Sequence, residues 1–142
     1  MSIGFVADSS IAVSWAVQSQ STSATDRLMD EVFTGTSFIV PSLWVFEVAN
    51  TLVMLIRRKR LQEEDIADAL RILQRFAPIV DEDGRALAFR EISDLARKYS
   101  LTVYDATYLE LASRLRLPLA SRDSALNKAA RRAGVKILLD DR

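Results

Sequence analysis

Residues 101–135, LTVYDATYLELASRLRLPLASRDSALNKAARRAGV, decide how the rest of the chain is read. Asp105 opens a helical pattern in which Leu109, Leu111, Ala112 and Leu115 return at helix spacing. Pro118-Leu119-Ala120 is short and apolar, as a buried strand is. Ser124 to Ala133 resumes the helical period and stops at Gly134, a residue that commonly ends helices. Val135 to Leu139 follows as a last strand. Helices alternating with short apolar strands require crossover connections, and crossovers imply a parallel sheet.

The same alternation extends toward the N-terminus. Ile3 and Phe5-Val6-Ala7 form a strand that stops at Asp8, and Ser9 and Ser10 can cap a helix through Ile11, Ala12, Trp15 and Ala16. The Ser and Thr residues between Gln18 and Ser23 cap a second helix through Leu28, Met29 and Val32, which Gly35 ends. Phe38-Ile39-Val40 is the next strand, closed by Pro41. Ser42 then caps a long helix from Leu43 to about Lys59. Ile66, Ala69, Leu70, Leu73 and Phe76 mark a helix within residues 62–76, and Pro78-Ile79-Val80 a short strand. Arg85 to Tyr99 is amphipathic, with Leu87, Ile92, Leu95 and Ala96 inward. With no repeat, low-complexity tract or linker, residues 1–142 are expected to form one α/β domain.

Composition narrows the chemistry. The chain has no His and no Cys, so zinc and copper lose their commonest ligands and catalysis falls to carboxylates, hydroxyls, Lys or Arg. Its 49% hydrophobic content can fill a core without disulfides. Absent cysteine suits a reducing compartment. Ile3 to Ala7 is too short for a signal peptide, and no segment approaches the ~20 apolar residues that span a bilayer. A soluble cytoplasmic protein is expected.

The 19 basic and 19 acidic residues balance, so bulk charge does not argue for a nucleic-acid partner. Two basic runs stand out: Arg57-Arg58-Lys59-Arg60, and Lys128 with Arg131 and Arg132. Each is read first as a solvated helix end.

Four acids hold the functional signal: Asp8, Glu47, Asp105 and Asp123. Asp8 and Asp123 follow strand ends, where ligands of open α/β sheets bind. Taken singly, Asp8, Asp105 and Asp123 read equally as helix caps. Glu47 lies between Phe46 and Val48 in an apolar helix, where a charge needs a partner. Leu43, Glu47, Asn50 and Met54 share a face, so Asn50 can support Glu47, and a core Arg is the structural alternative. Converging carboxylates repel: two charges at ~4 Å cost about 4 kcal/mol at an effective dielectric of about 20. A hard divalent cation such as Mg²⁺ or Mn²⁺ removes that penalty.

Three stretches, VADSSIAVSW (6–15), VPSLWVFEVANTL (40–52) and LTVYDATYLELASRLRLPLASRDSALNKAARRAGV (101–135), together resemble the PIN-domain ribonucleases, and among them the VapC toxins of VapBC-type pairs. The resemblance covers almost the whole chain. It implies a three-layer fold, with a short central parallel sheet flanked by helices on both faces. It carries the acidic quartet onto Asp8, Glu47, Asp105 and Asp123, as metal ligands and catalytic residues, with Ser9 and Ser121 as accompanying polar residues. It further implies Mg²⁺ (or Mn²⁺) dependence, cleavage of single-stranded or loop RNA, a homodimer and a cognate VapB-type antitoxin.

Other readings fit less well. A phospho-acceptor domain places an acidic pair after its first strand, where this chain has Asp8-Ser9, and a phosphoaspartyl hydrolase wants Asp where Ser10 stands. Four glycines in all cannot build a dinucleotide loop. A serine hydrolase lacks its His. A non-catalytic interaction module, docking through Leu52, Val53, Leu55 and Ile56, stays open beside the nuclease. Arg122 is a candidate phosphate contact or a surface Arg. Trp15 and Trp44 either stack on bases or belong to the core or an interface.

Overall fold

The computed structural model describes residues 2–139. Four short strands, β1 (Ile3–Ala7), β2 (Ser37–Pro41), β3 (Ile79–Asp81) and β4 (Leu119–Ala120), form a wholly parallel sheet in the order β3-β2-β1-β4. The inner strands β1 and β2 bury most of their residues, as expected of apolar runs covered on both sides, and the two residues of β4 are buried as well. Gly4 lets β1 run close to the chain entering β2: a Cβ there would stand 2.5 Å from Thr36 Cγ2.

The helices are α1 (Ser9–Ala16), α2 (Ser23–Phe33), α3 (Trp44–Arg57), α4 (Ile66–Leu73), α5 (Gly84–Leu87), α6 (Ser93–Tyr99), α7 (Val103–Leu115) and α8 (Ser124–Arg132). From β1 to β2 to β3 the chain steps in one direction, then returns across the sheet to β4. Right-handed crossovers therefore put the two sets of helices on opposite faces. α1 packs with α2, α3 and α4; α7 packs on β1, β2 and β4 and against α6 and α8. This is the expected three-layer α/β arrangement. It places a topological switch between β1 and β4, whose carboxyl ends open on one crevice.

Aromatic rings lock the first layer. Phe38 meets Phe5, Trp15, Trp44 and Phe76, and Trp15 stacks on Phe76 at 4.5 Å. Trp15 Nε1 also donates to the Thr25 carbonyl at 2.9 Å. Both tryptophans are buried core residues, which removes them as stacking platforms for bases.

Several local expectations give way to specific contacts. The expected strand Val135–Leu139 reduces to one bridge, Ile137 beside Leu119, because a two-residue β4 offers so little ladder. The expected helix Arg85–Tyr99 is interrupted by a π-helical turn over Ala88–Ile92. There Ser93 Oγ donates to the Ala88 carbonyl five residues back, at 2.6 Å. In residues 62–76, a 3₁₀ turn over Glu63–Asp65 precedes α4, and Phe76 is buried beyond the helix end. Ser42 does not cap α3; Leu43 occupies that position without a side-chain bond. Asp8, not Ser9 or Ser10, caps α1. In the docking stripe proposed for α3, Leu52 is core and Leu55 and Ile56 are half-buried, so only Val53 faces out. Arg57 to Arg60 lie exposed at the end of α3, as a solvated run does.

Phe38 touches four other rings, so Phe38→Ala should cost about 3–5 kcal/mol. Chemical denaturation would show this as a lower midpoint at unchanged slope.

Candidate active site

Asp8 emerges from β1 into the crevice. Its backbone N–H donates to the Ala120 carbonyl at 3.0 Å, extending the β1–β4 pairing to the acid itself. The side chain is only 5% exposed. Oδ1 accepts from Ser10 N (3.0 Å) and Ser10 Oγ (2.5 Å), and Oδ2 accepts from Ser121 Oγ. Ser121 is fully buried, and its Oγ in turn accepts from Asp123 N at 2.9 Å. Ser10 Oγ likewise accepts from Arg122 N at 2.9 Å. Two serines thus tie the end of β1 to the end of β4 through one carboxylate.

Asp105 stands in the first turn of α7. Thr102 takes the N-cap, accepting from Asp105 N at 3.0 Å, so the Asp105 carboxylate is not spent on capping. It makes no hydrogen bond or ion pair among the described residues, and both oxygens remain available. Asp123 does cap α8: its Oδ1 accepts from Ala125 N and Leu126 N (2.9 and 3.1 Å), leaving Oδ2 open. Glu47, in the first turn of α3, accepts from Tyr108 Oη at 2.6 Å on Oε1. Tyr108 is 1% exposed, and burial followed by the Glu47 bond raises its pKa, so it stays a donor.

The proton affinities show that these groups share one field. Burial raises Asp8 from its ordinary 3.8 to about 6, against the Ser10 and Ser121 bonds, with a further upward push from Asp105. Burial raises Asp105 to about 6 as well, assisted by Asp123 and then Glu47. Burial also raises Glu47, which the Tyr108 bond opposes. The charges that shift Asp8 and Asp105 are those of other carboxylates, and none of the four forms an ion pair among the described residues.

An oxygen-only set of this kind suits a hard divalent ion. Yet among the described residues no three acids stand in ready-made ion-holding geometry. Both Asp8 oxygens, one Asp123 oxygen and one Glu47 oxygen accept protein donors. The donors fit a hard cation by chemistry: they are all carboxylate oxygens, and none is ion-paired among the described residues.

The family model for the PIN domain matches residues 5–132. The chain belongs to the PIN domain family. This PIN domain is 33% identical over 84 residues to Ribonuclease VapC3 of Pyrobaculum aerophilum, a match covering 59% of the chain and 64% of that relative. The match therefore spans less than two thirds of the relative's length. In fold it is similar to PAE2754 from Pyrobaculum aerophilum (TM-score 0.67, 21% identity, 91% of this chain and 87% of that one). It is also similar to FitAcB from Neisseria gonorrhoeae (TM-score 0.55, 16% identity, 94% and 95% covered).

The accompanying residues fall out differently from expectation. Ser121 lies against Asp8, but Ser9 does not; Ser10, one residue on, makes those contacts. Asn50 is exposed and forms no hydrogen bond to Glu47; Tyr108 from α7 does so instead. Arg122 turns its guanidinium inward, Nη1 donating to Ser14 Oγ at 3.0 Å and to the Gln20 carbonyl, so it braces the chain after α1. Tyr108 sits one helical turn after Asp105 in the sequence, a spacing that puts both on one side of α7.

Asp8 binds its proton more tightly folded (about 6) than unfolded (3.8), so its contribution is complete below pH 3.8 and is lost as pH rises through 6. Without divalent ions, ionised Asp8 should cost on the order of 2–3 kcal/mol by about pH 7.5. Asp8→Asn should therefore melt higher than wild type above about pH 6 and lose that advantage below about pH 4. Thermal melts in chelator across that range check this; a difference that ignores pH contradicts it.

Proposed function

We propose that this PIN domain is a Mg²⁺- or Mn²⁺-dependent endoribonuclease toxin. In this reading it hydrolyses single-stranded or loop RNA in the cytoplasm, as a homodimer, and is restrained by a cognate VapB-type antitoxin. One observation carries the reading: Asp105 is coupled to Asp123 and Glu47, and Asp8 to Asp105, in a crevice with no cationic side chain paired to them among the described residues. The similarity to a relative named Ribonuclease VapC3 supports it.

Asp8, Asp105, Asp123 and Glu47 would hold the ion, directly or through water. The bound cation would supply Lewis acidity toward the scissile phosphate and a water of lowered pKa. The chain's own groups prepare that event. Ser10 and Ser121 fix the plane of Asp8. Tyr108 Oη holds Glu47 by Oε1 and leaves Oε2 without a hydrogen bond among the described residues. The α8 amides hold Asp123 by one oxygen. Asp105, unbonded, is the carboxylate freest to adapt. With pKa values near 6, Asp8 and Asp105 are mainly ionised at neutral pH, as ligands must be.

Attack by water at phosphorus breaks the P–O3′ bond, leaving 3′-hydroxyl and 5′-phosphate ends without the 2′-hydroxyl as nucleophile. An antitoxin segment that brings an Arg to the carboxylates would satisfy the same field that the cation satisfies, and so compete with it.

The test is end-mapping of RNA incubated with purified protein and Mg²⁺ or Mn²⁺. Cleavage should yield 5′-phosphate ends and should fall at least ~100-fold in Asp105→Asn with melting preserved; 2′,3′-cyclic phosphates, or an active Asp105→Asn, would overturn the reading. Outer groups that orient metal ligands are worth about 10–100-fold, so Tyr108→Phe should lower activity by that factor and raise the Mg²⁺ concentration needed for half-maximal rate.

A further inference from the structure

The buried tryptophans leave open which groups would grip the bases of a strand at this site. Two other rings are placed for it. Phe46 immediately precedes Glu47 and is 76% exposed; Tyr104 immediately precedes Asp105 and is 63% exposed. Among the described residues neither makes a ring–ring or cation–π contact, whereas Phe5, Phe33, Phe38, Phe76 and both tryptophans do. Val45 and Val103 extend the same exposed apolar rim by one residue each. Both rings sit in first turns: Phe46 in α3 and Tyr104 in α7. Those two helix starts are joined where Tyr108 Oη donates to Glu47 at 2.6 Å, so the rings stand exposed on the two elements that carry Glu47 and Asp105.

Large exposed rings beside a polar cleft mark a binding surface more readily than a solvated one. The charged residues beside these rings in the chain, Glu47 and Asp105, are both acidic, so phosphate neutralisation by Arg or Lys is not what this rim offers. What it offers is π-surface. A strand whose scissile phosphate reaches Glu47 and Asp105 crosses the starts of α3 and α7, where both rings are exposed.

We propose that Phe46 and Tyr104 form an aromatic clamp that stacks on the bases flanking the scissile phosphate of single-stranded RNA. The clamp rests on the nuclease reading for its substrate and adds to it the means of selection. Stacking accepts any unpaired base and excludes a duplex, whose bases are already stacked. The crevice supplies the reaction and the rim chooses strands with free bases.

The test uses the full chain with Mn²⁺, a short single-stranded RNA cut at one position, and the same RNA with an abasic unit on either side of that position. Phe46→Ala and Tyr104→Ala should each raise KM ~5- to 150-fold, the loss expected for one stacked base, with a smaller effect on kcat. Phe46→Trp and Tyr104→Trp should restore KM. Against wild type the abasic unit should carry a similar penalty, and that penalty should vanish in the Ala variant that faces it. Removal of a ring that serves only the fold would give no such matched loss.

Wild-type cleavage with unchanged KM in both Ala variants overturns the clamp and leaves the nuclease reading standing. RNA binding that weakens in the Ala variants, without cleavage by wild type, supports the clamp and overturns the nuclease reading. A fall from dimer to monomer on size exclusion, with RNA kinetics unaltered, assigns the rim to a second copy of the chain and overturns the clamp.

Discussion

At the carboxyl end of β1, Asp8 leaves water for a pocket where, among the described residues, two hydroxyls and an amide are its donors. Its position is set by backbone pairing with Ala120, so it cannot retreat without breaking the β1–β4 ladder. Ser121 spans the junction, donating to Asp8 while accepting from the Asp123 amide, so the switch point of the sheet and the acidic crevice are built from the same bonds. Burial there raises the proton affinity of the carboxylate, and Asp105 across the crevice raises it further. The fold thereby stores an unfavourable charge that either a proton or a cation can relieve.

Much of this frame was legible in the chain because the strands are short unbroken apolar runs and the helices between them keep their period. Phe5-Val6-Ala7 and Phe38-Ile39-Val40 read as buried strands, and Asp8 and Asp123 marked the turns after β1 and β4. The acids were legible because charge interrupts otherwise apolar patterns, as Glu47 does between Phe46 and Val48. Contacts made across the fold were less so. Nothing local distinguishes Ser10 from Ser9, since only the cap geometry at Asp8 decides which hydroxyl turns back to it. Tyr108 lies in a run of core residues, and only the approach of α3 to α7 shows that its hydroxyl ends on Glu47. The π-turn at Ala88–Ile92 keeps the apolar period of a regular helix and depends on one Ser93 bond that periodicity does not register.

The surface divides by residue type in a way that suits the proposed activity. Basic side chains gather at the exposed end of α3, while the crevice itself collects carboxylates and an aromatic rim. An anionic substrate would find little direct attraction there without a metal ion; in the proposed reading a bound cation would neutralise the acids and make the site receptive to phosphate. The Arg114 cluster, which binds Asp81 and Glu110 at 2.8 and 2.9 Å, is a separate structural network that fastens α7 to the end of β3. It holds the helix that carries Asp105 and Tyr108 and adds no charge to the crevice.

Metal uptake by carboxylates of raised proton affinity must expel protons, and counting them tests the central claim most directly. Calorimetric titration with Mn²⁺ at about pH 6, repeated in buffers of different ionisation enthalpy, measures that number, with Asp8 and Asp105 both titrating near 6. The account predicts net proton release of about one per ion at that pH, shrinking toward zero by about pH 8. Binding with no proton release at either pH, or no binding at all, would contradict it.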